Sequence, residues 1–307
     1  MGPGFERPVP PGGYAWWYVD ALSRDGRHGL TVIAFIGSVF SPYYRATGWA
    51  EPEDHVSLNV ALYGPGRGRW AMTERGRGAL VRSADRLAIA GSALAWGGGG
   101  LTLDIDEVTA ITRERVRGRL RLVPEALASD AFALDPAGRH QWRPIATRAR
   151  IEARFTRPSL SWDGWAYLDS NWGAEPLEAG FRSWHWSRAH LMRDTAVLYE
   201  GVRADGSPFA LALRVGPDGA AQDMEPPVAW RLPPTPIWRM PRHTRVDPGH
   251  AAWVQRGWED TPFYSRSAIA TRLWGERAPA VHESLSMTRF ATRAVQLMLP
   301  YRMPRRP

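Results

Sequence analysis

Cysteine and lysine are both missing from the 307 residues of the chain. Without cysteine, disulfides, thiol catalysis and cysteine-ligated zinc or iron–sulfur centres are excluded. Long apolar runs are missing as well, because the most apolar one, Leu30–Phe40, falls short of the ~20 residues that a membrane-spanning helix needs. The N-terminal stretch also lacks the apolar centre of a signal peptide. We therefore expect a soluble, cytoplasmic protein without thiol redox chemistry.

Several catalytic signatures are absent too. The glycine-rich stretches Gly64–Gly68 and Gly97–Gly100 lack the lysine and the strand-to-helix context of a phosphate-binding loop, so we interpret them as turns. The pattern Gly-x-Ser-x-Gly does not occur, which removes the main sequence support for acyl transfer. The eight histidines are scattered and none forms a His-x-x-x-His pair. The sequence therefore favours acid chemistry without a metal or another cofactor.

Tryptophan, glycine and proline, by contrast, are plentiful, with 16, 30 and 26 copies. This mixture is typical of many short strands with tight turns rather than of a helical protein. The formal net charge of +8 is carried by arginine. Arginine suits phosphate groups, so a membrane surface or a nucleic acid would fit it, but biased genomic base composition and solubility explain it more simply. The composition thus indicates a fold class and no particular partner.

Alternating apolar and polar residues mark individual strands. The segments Leu101–Asp106, Arg115–Leu122 and Arg148–Phe155 each put apolar side chains on one face and polar or charged ones on the other. Pairs of aspartate and glycine indicate hairpin turns. A short helix is expected in the tail, between Ala291 and Pro307, and helix is expected to be a minor element. We predict an all-β protein with little helix.

The most natural domain boundary in this pattern is Arg157–Pro158, because a new series of strands begins directly after it. The chain is also long for a single core, so its length favours two domains. We predict an N-terminal domain over residues 1–157 and a C-terminal domain over residues 158–307. The two halves share turn density and strand length, which permits two related barrels.

The most distinctive stretch is Gly164–Gly173, with the sequence GWAYLDSNWG. In a strand, the period of two puts Trp165, Tyr167 and Asp169 on one face. A lone carboxyl among aromatic rings is poorly solvated, so burial is expected to raise the pKa of Asp169 and keep it a neutral proton donor. The alternative is that Asp169 caps a turn at the end of the strand, as aspartate often does.

A His-x-Trp pair precedes this stretch. His140 and Trp142 share one face of the preceding strand, so they converge with Tyr167 and Asp169 if the two strands are neighbours. The alternative is that His140 is an ordinary polar residue of a loop, since isolated histidines usually serve no catalysis. The indoles also have two interpretations, core filling or a wall that binds a flat polyene and stabilises a carbocation. They are Trp142, Trp172, Trp184 and Trp186.

Three long strings of the sequence resemble the bacterial carotenoid 1,2-hydratases, also called hydroxyneurosporene synthases. The strings are PGGYAWWYVDALSRDGRHGLTVIAFIGSVFSPYY at Pro11–Tyr44, SLNVALYGPGRGRWAMTERG at Ser57–Gly76, and GWAYLDSNWG with FRSWHWSRAHL between Gly164 and Leu191. The resemblance covers nearly the whole chain. It implies two lipocalin-like β-barrel domains in tandem, which agrees with the strand pattern.

The resemblance also implies an activity. Members of this family add water across the terminal C1=C2 double bond of acyclic carotenes such as neurosporene or lycopene, without a cofactor. The acid of the family's Tyr-x-Asp pair carries over to Asp169 as proton donor, with Tyr167 beside it. The His-x-Trp element carries over to His140 and Trp142. Four further indoles are expected to bind the substrate: Trp165, Trp172, Trp184 and Trp186.

Protonation at C2 leaves a tertiary cation at C1, so the hydroxyl must end on C1. We expect Asp169 to donate the proton, Trp142, Trp172 and Trp186 to face the cation, and Tyr167 and His140 to position the water or take its proton.

A carotene lives in the bilayer, so peripheral contact with the inner or an intracytoplasmic membrane is expected, and no nucleic acid partner. Arginine faces and the basic tail after Met298 would meet anionic headgroups, while four apolar residues would enter the interface. These are Val295, Leu297, Met298 and Leu299.

Two other classes remain open. A lipocalin-like carrier of apolar ligands would use the same aromatic walls without catalysis. A sugar-active β-protein would need a second carboxylate beside Asp169, and the fold would have to bring in Glu175 or Asp163.

Overall fold

The computed structural model describes residues 2–66 and 68–306, and the last residue of the basic tail lies outside this range. The chain forms two compact units. The first, called the outer unit, runs to Pro176 and resumes at Leu297, and the second, called the inserted unit, is Leu177–Gln296. The inserted unit is therefore placed within the sequence of the outer one.

Strands account for most of the described chain. They are β1 (Tyr14–Ser23), β2 (Gly29–Ile36), β3 (Val56–Tyr63), β4 (Arg69–Arg75), β5 (Leu80–Arg82), β6 (Arg86–Ile89), β7 (Ser92–Gly97), β8 (Gly100–Val108), β9 (Arg115–Pro124), β10 (Phe132–Ala133), β11 (His140–Arg157), β12 (Leu160–Gly173), β13 (Phe181–His190), β14 (Thr195–Arg203), β15 (Pro208–Val215), β16 (Ala221–Asp223), β17 (Val228–Leu232), β18 (Arg242–Val246), β19 (Trp253–Asp260), β20 (Tyr264–Leu273), β21 (Glu276–Ser286) and β22 (Arg305–Arg306). The helices are α1 (Pro42–Ala46), α2 (Leu177–Gly180), α3 (Met287–Phe290) and α4 (Arg293–Arg302), with 3₁₀ turns at Pro52–Asp54 and Arg77–Ala79. The predictions of an all-β fold and of a short helix in the tail are confirmed.

One large sheet builds the outer unit, in the order β22-β4-β3-β2-β1-β12-β11-β9-β8-β7-β6-β5, with β10 beside β11. Its apolar face curls onto itself, because Val19, Val32 and Val60 from one half belong to the same buried cluster as Leu103 and Leu120 from the other half. Burial of this continuous apolar face is the main stabilising contribution to the unit.

The face of β1 and β12 opposite the apolar core has a different composition. It carries aromatic and polar side chains that include Tyr18, Asp20, Tyr167 and Asp169, and these are buried as well. Strand β1 is therefore buried along almost its whole length, which explains why its sequence is a run of large side chains rather than a clean alternation. Polar groups on a buried face need internal partners.

The structure divides the chain elsewhere than the boundary predicted after Arg157. Strands β11 and β12 pair up to Phe155 and Leu160, so Pro158 lies in the turn of a hairpin inside the outer unit. Pro158 and the strand after it, which were interpreted as a domain boundary, belong to a hairpin. A single sequence does not distinguish a proline in a hairpin turn from a proline in a linker. The division lies after Pro176, and the last residues return to the first unit.

The inserted unit has its own sheets and core. One sheet has the order β16-β15-β14-β13-β21-β20-β19, and β17 pairs with β18 beside it. Its apolar cluster includes Leu198, Val246 and Ile269. Each sheet is antiparallel with short connections, as the density of turn residues predicted.

The returning segment is held by charge. Strand β22 pairs in parallel with β4, and the Arg305 guanidinium contacts Asp54 Oδ2 at 2.7 Å and Glu74 Oε1 at 2.5 Å. His55 Nδ1 lies 2.8 Å from the same Glu74 oxygen. The Arg302 guanidinium lies over the ring of Trp70 at 4.2 Å. These two arginines of the basic tail are thus engaged within the protein.

Candidate active site

Two Tyr-x-Asp segments meet on the polar face of the outer unit. Strand β1 contributes Tyr18 and Asp20, and β12 contributes Tyr167 and Asp169. The antiparallel register places Tyr18 opposite Asp169 and Asp20 opposite Tyr167. The four side chains are between 0 and 5% exposed. Each tyrosine hydroxyl donates to the aspartate two residues along its own strand, at 3.2 Å on β1 and 2.9 Å on β12.

The carboxyl of Asp169 is held by two donors on one oxygen. Oδ2 accepts a hydrogen bond from the indole Nε1 of Trp142 at 2.8 Å and one from the hydroxyl of Tyr167 at 2.9 Å. Burial favours the neutral form of a carboxyl, whereas accepted hydrogen bonds favour the charged form. The raised pKa expected for Asp169 stays a prediction, and the turn-capping alternative does not describe a residue in mid-strand.

The phenol of Tyr167 stays protonated. Burial raises its pKa well above the usual value, and the charges of Asp169 and then Asp20 add to the effect. A phenol that cannot ionise remains a hydrogen-bond donor at every physiological pH. The ring of Tyr18 contacts it edge to face, with centroids 6.2 Å apart. Tyr167 is therefore a fixed donor between two carboxyl groups.

Trp142 reaches Asp169 from the neighbouring strand β11. It pairs with Asn171, so its indole extends diagonally along the face to Asp169. The register of β11 shifts directly after Arg143, where Pro144 removes a ladder donor, and proline inside a strand is found at such irregularities. Phe132 packs against the indole at a tilt, with centroids 5.7 Å apart. The side chains of Trp142, Tyr167 and Asp169 therefore meet, as the sequence predicted.

His140 lies on the same strand, two residues before Trp142. It pairs with Gly173, four residues from Asp169 on β12, which is about 13 Å at the rise of a strand. Its Nδ1 is 2.9 Å from the Tyr14 hydroxyl and its Nε2 is 3.0 Å from Glu175 Oε1. A side chain at Gly173 would collide with the Tyr14 ring at 2.5 Å, so the glycine permits this close packing.

The histidine ring is neutral near pH 7. Burial lowers the pKa of His140, and the opposing influence of Glu175 is smaller. A neutral ring satisfies both contacts when Nε2 donates to Glu175 and Nδ1 accepts from Tyr14. The structure thus places His140 in a Tyr14–His140–Glu175 group rather than beside Asp169. It also places Glu175, considered as a second carboxylate for sugar chemistry, at the histidine.

An aromatic row runs from this histidine along β1 and β2. Tyr14 stacks on Trp16 with centroids 5.0 Å apart, Trp16 contacts Phe35 at 6.1 Å, and Phe35 contacts Phe40 at 6.1 Å. Trp16 shares the face of β1 that carries Tyr18 and Asp20, because it lies two and four residues before them. Sequence reasoning treated this run only as a strand and did not assign it to the site.

Asp20 is the second residue that sequence reasoning missed. A signal was present, since Tyr18-Val-Asp20 has the same spacing as Tyr167-Leu-Asp169 and lies within an otherwise apolar strand. A carboxyl in the middle of such a strand is a buried polar group that needs an internal partner.

Two of the predicted binding indoles lie away from Asp169. Strand β12 alternates regularly against β1, so Trp172 occupies the opposite face, where it packs on the apolar core and under the Arg7 guanidinium at 3.5 Å. Trp165 shares the parity of Asp169 but is 37% exposed at the far end of the strand, beneath Arg148 at 5.8 Å. The expectation that Trp172 faces the reacting group is therefore wrong, because the period of two excludes it.

Trp184 and Trp186 belong to the inserted unit, on β13. Both are buried, and Trp184 packs against Phe181 and Tyr199 at 5.7 and 6.0 Å. The same unit contains a cavity of about 600 Å³ whose lining includes Trp230 and His185. Burial lowers the pKa of His185 well below its usual value, so this ring is neutral.

Metal binding finds no support in the part of the chain that the structure describes, where no group of three or more histidine and carboxylate side chains is arranged to hold an ion. Within the same residues, no helix is long and apolar enough to cross a membrane.

A curled all-β sheet with a buried carboxyl, two donors aimed at it and an aromatic row on the same face defines a lipocalin-like protein with a polar group in an apolar setting. The family model described as carotenoid hydratase CrtC matches residues 32–307. The chain belongs to the carotenoid hydratase family.

Curated relatives agree with this assignment. The chain is similar to the acyclic carotenoid 1,2-hydratase of Thiocapsa roseopersicina, with 53% identity over 99% of this chain and 76% of that protein. It is also similar to the enzyme of the same description from Cereibacter sphaeroides, with 41% identity over 90% of this chain and 98% of that protein.

Solved structures share the fold at low identity. A protein described as AttH from Nitrosomonas europaea superposes with a TM-score of 0.62 at 15% identity, covering 90% of this chain and 93% of that one. Kievitone hydratase from Nectria haematococca gives a TM-score of 0.56 at 9% identity, covering 94% of both chains. At these identities the likeness shows the fold alone.

Proposed function

We propose that this protein adds water across the terminal C1=C2 double bond of an acyclic carotene such as lycopene or neurosporene, giving a 1-hydroxy-1,2-dihydro carotenoid. The observation that carries the proposal is the buried Asp169 carboxyl, whose Oδ2 is held by Trp142 and Tyr167. The family and the curated relatives support the choice of substrate. An isolated alkene has no polar handle, so a strong neutral acid in an apolar site is what its hydration requires.

Asp169 acts as the proton donor. Because Oδ2 already accepts from two donors, the acidic proton of the neutral carboxyl sits on Oδ1 and is transferred from there to C2. Negative charge then develops on the carboxylate, and the hydrogen bonds from Trp142 and Tyr167 strengthen as it does. Preorganised donors aimed at developing charge are among the most effective catalytic devices in proteins. The two donors therefore stabilise the carboxylate that forms when Asp169 loses its proton, rather than the alkene.

The cation forms at C1, where three alkyl groups stabilise it. Trp142 and the aromatic row that begins with Tyr14 and Trp16 supply ring faces, and each such contact contributes about 2 kcal/mol when water is excluded. A water molecule then attacks C1 and loses a proton. His140 acts at a distance as a positioning residue, because its contacts with Tyr14 and Glu175 fix the start of β11 and the start of the aromatic row.

The test of the function is incubation of the purified protein with lycopene in liposomes, without added cofactor, in water enriched in heavy oxygen. We expect a 1-hydroxy-1,2-dihydro product that carries the heavy isotope at C1, identified by chromatography and mass spectrometry. Lycopene that copurifies with the protein but stays unchanged would contradict hydration and favour an apolar-ligand carrier.

We also propose that the protein is cytoplasmic and contacts the inner or an intracytoplasmic membrane at its periphery, because the substrate dissolves only in the bilayer. Helix α4 supports this contact with Leu297 and Tyr301, which are 64% and 79% exposed, whereas the predicted insertion residues Val295 and Leu299 are buried. Exposed apolar side chains flanked by arginine suit an anionic interface.

Sedimentation with phosphatidylglycerol vesicles measures this contact. We expect binding that weakens with added salt and that falls several-fold in Leu297→Gln. Ile111→Gln, at a position of the outer unit that is 78% exposed, serves as the control for loss of an exposed apolar side chain and should bind like the unaltered protein. Binding that is indifferent to both salt and Leu297→Gln would contradict the proposal.

A further inference from the structure

Asp20 is a buried carboxyl that the reaction described above does not use. It is 0% exposed, it accepts a hydrogen bond from the Tyr18 hydroxyl, and it stands directly across the β1–β12 ladder from Tyr167. Its position relative to Asp169 is that of a diagonal neighbour on one face, about 7–8 Å between Cα atoms. The site therefore contains two carboxyl groups and two phenols on one face of the sheet.

Hydration of an alkene needs two proton transfers. The acid gives a proton to C2, and the attacking water must lose one once the C1–O bond forms. Two carboxyls on one sheet face suit this division, because the first serves as acid next to C2 while the second faces a water on the way to C1. His140 is about 13 Å along the strand from Asp169 and has both ring nitrogens engaged.

We infer that Asp20 is a catalytic residue of this site, the base that takes the proton from the water that attacks C1. The inference rests on the function proposed above. The atoms balance as follows: Asp169 loses a proton to C2, the water oxygen bonds to C1, and the released proton passes to Asp20. The cycle closes when Asp20 releases its proton to solvent and Asp169 takes one up from solvent on Oδ1.

Tyr167 interacts with both carboxyl groups. Its hydroxyl already donates to Asp169 Oδ2, and the charges of both Asp169 and Asp20 act on the same phenol. The Tyr18 hydroxyl donates to Asp20 Oδ2 at 3.2 Å, so Asp20 also has a tyrosine partner on its own strand. The paired Tyr-x-Asp segments thus give each carboxyl a tyrosine donor from its own strand.

Azide provides the decisive experiment, because azide attacks a cation without having to lose a proton. We expect Asp20→Ala to reduce lycopene hydration about 10²-fold or more. Added sodium azide is expected to restore substrate consumption and to yield a 1-azido-1,2-dihydro product, with Asp169 regaining its proton from solvent. Asp169→Asn is expected to form neither product, with or without azide, because the cation never forms. Asp163→Ala, on an exposed part of β12, is the control for a lost aspartate.

Two results overturn the inference. Hydration by Asp20→Ala within about threefold of the unaltered protein would mean that Asp169 recovers the proton from water by itself. A folded Asp20→Ala variant that azide fails to rescue would mean that Asp20 serves protonation or packing instead. Asp20→Asn, which keeps the shape of the side chain, undergoes the same assay if the alanine variant does not fold. Full hydration by Asp169→Asn would contradict the proposed acid, and this outcome is independent of the result at Asp20.

Discussion

Asp169→Asn is expected to lower the rate of lycopene hydration by roughly 10³-fold while the protein keeps its fold. The amide has nearly the shape of the carboxyl, and its oxygen can still accept from Trp142 Nε1 and the Tyr167 hydroxyl, so the buried hydrogen bonds survive. It has no acidic proton to transfer to C2. The measurement is the initial rate of product formation at saturating lycopene, with thermal unfolding recorded on the same sample.

The control for this variant is Asp163→Asn on the same strand. The Asp163 side chain is 48% exposed and paired with Arg154, so its loss should change the rate by less than about twofold, since exposed ion pairs contribute little. An Asp169→Asn variant with the rate of the Asp163→Asn control would place the acid elsewhere in the protein.

Tyr167→Phe is expected to lower kcat by about 10²-fold, with a smaller change in KM. The phenol donates to the oxygen on which charge develops, so its hydrogen bond is stronger in the transition state than in the resting site. Removal of such a donor therefore affects the chemical step more than binding. Trp142→Phe removes the other donor and part of the ring face, so we expect a loss of at least the same size. Steady-state kinetics on both variants measures the effect.

Tyr44→Phe is the matched control, because Tyr44 is equally buried and donates its hydroxyl hydrogen bond to the Gly13 carbonyl instead. It should cost about 1 kcal/mol of stability and leave kcat nearly unchanged. A Tyr167→Phe variant whose kcat matches that of Tyr44→Phe would show that the phenol has only a structural role.

The alternation of β12 was enough to predict that Tyr167 and Asp169 share a face, and the preceding His-x-Trp pair was enough to predict Trp142 beside them. The same alternation, applied to Trp172, would have excluded that residue, since three positions separate it from Asp169. The order of the strands in the sheet, in contrast, does not follow from a local pattern. The pairing of β1 with β12 joins residues about 150 positions apart in sequence, and no local pattern encodes such a contact. Asp20 was missed for this reason, although its own spacing from Tyr18 was visible.

The distance between His140 and Asp169 shows a second limit. Two side chains on one face of neighbouring strands converge only if the register brings them opposite each other, and the register here offsets them by four residues. Register depends on the turn and on irregularities such as that at Pro144, whose effect a single sequence does not specify. The hairpin turn at Pro158 was mistaken for a linker because proline marks both.

The return of Leu297 and the residues after it to the outer unit affects how the chain folds during synthesis. A nascent chain can form most of the outer sheet and the whole inserted unit before β22 has been made. Until then the Glu74–Arg75 end of β4 has no strand partner on the side away from β3, and Glu74 and His55 lack the guanidinium of Arg305. The outer unit is thus begun first and completed last, and a fragment that stops before Leu297 would keep the buried Glu74 carboxyl without its arginine.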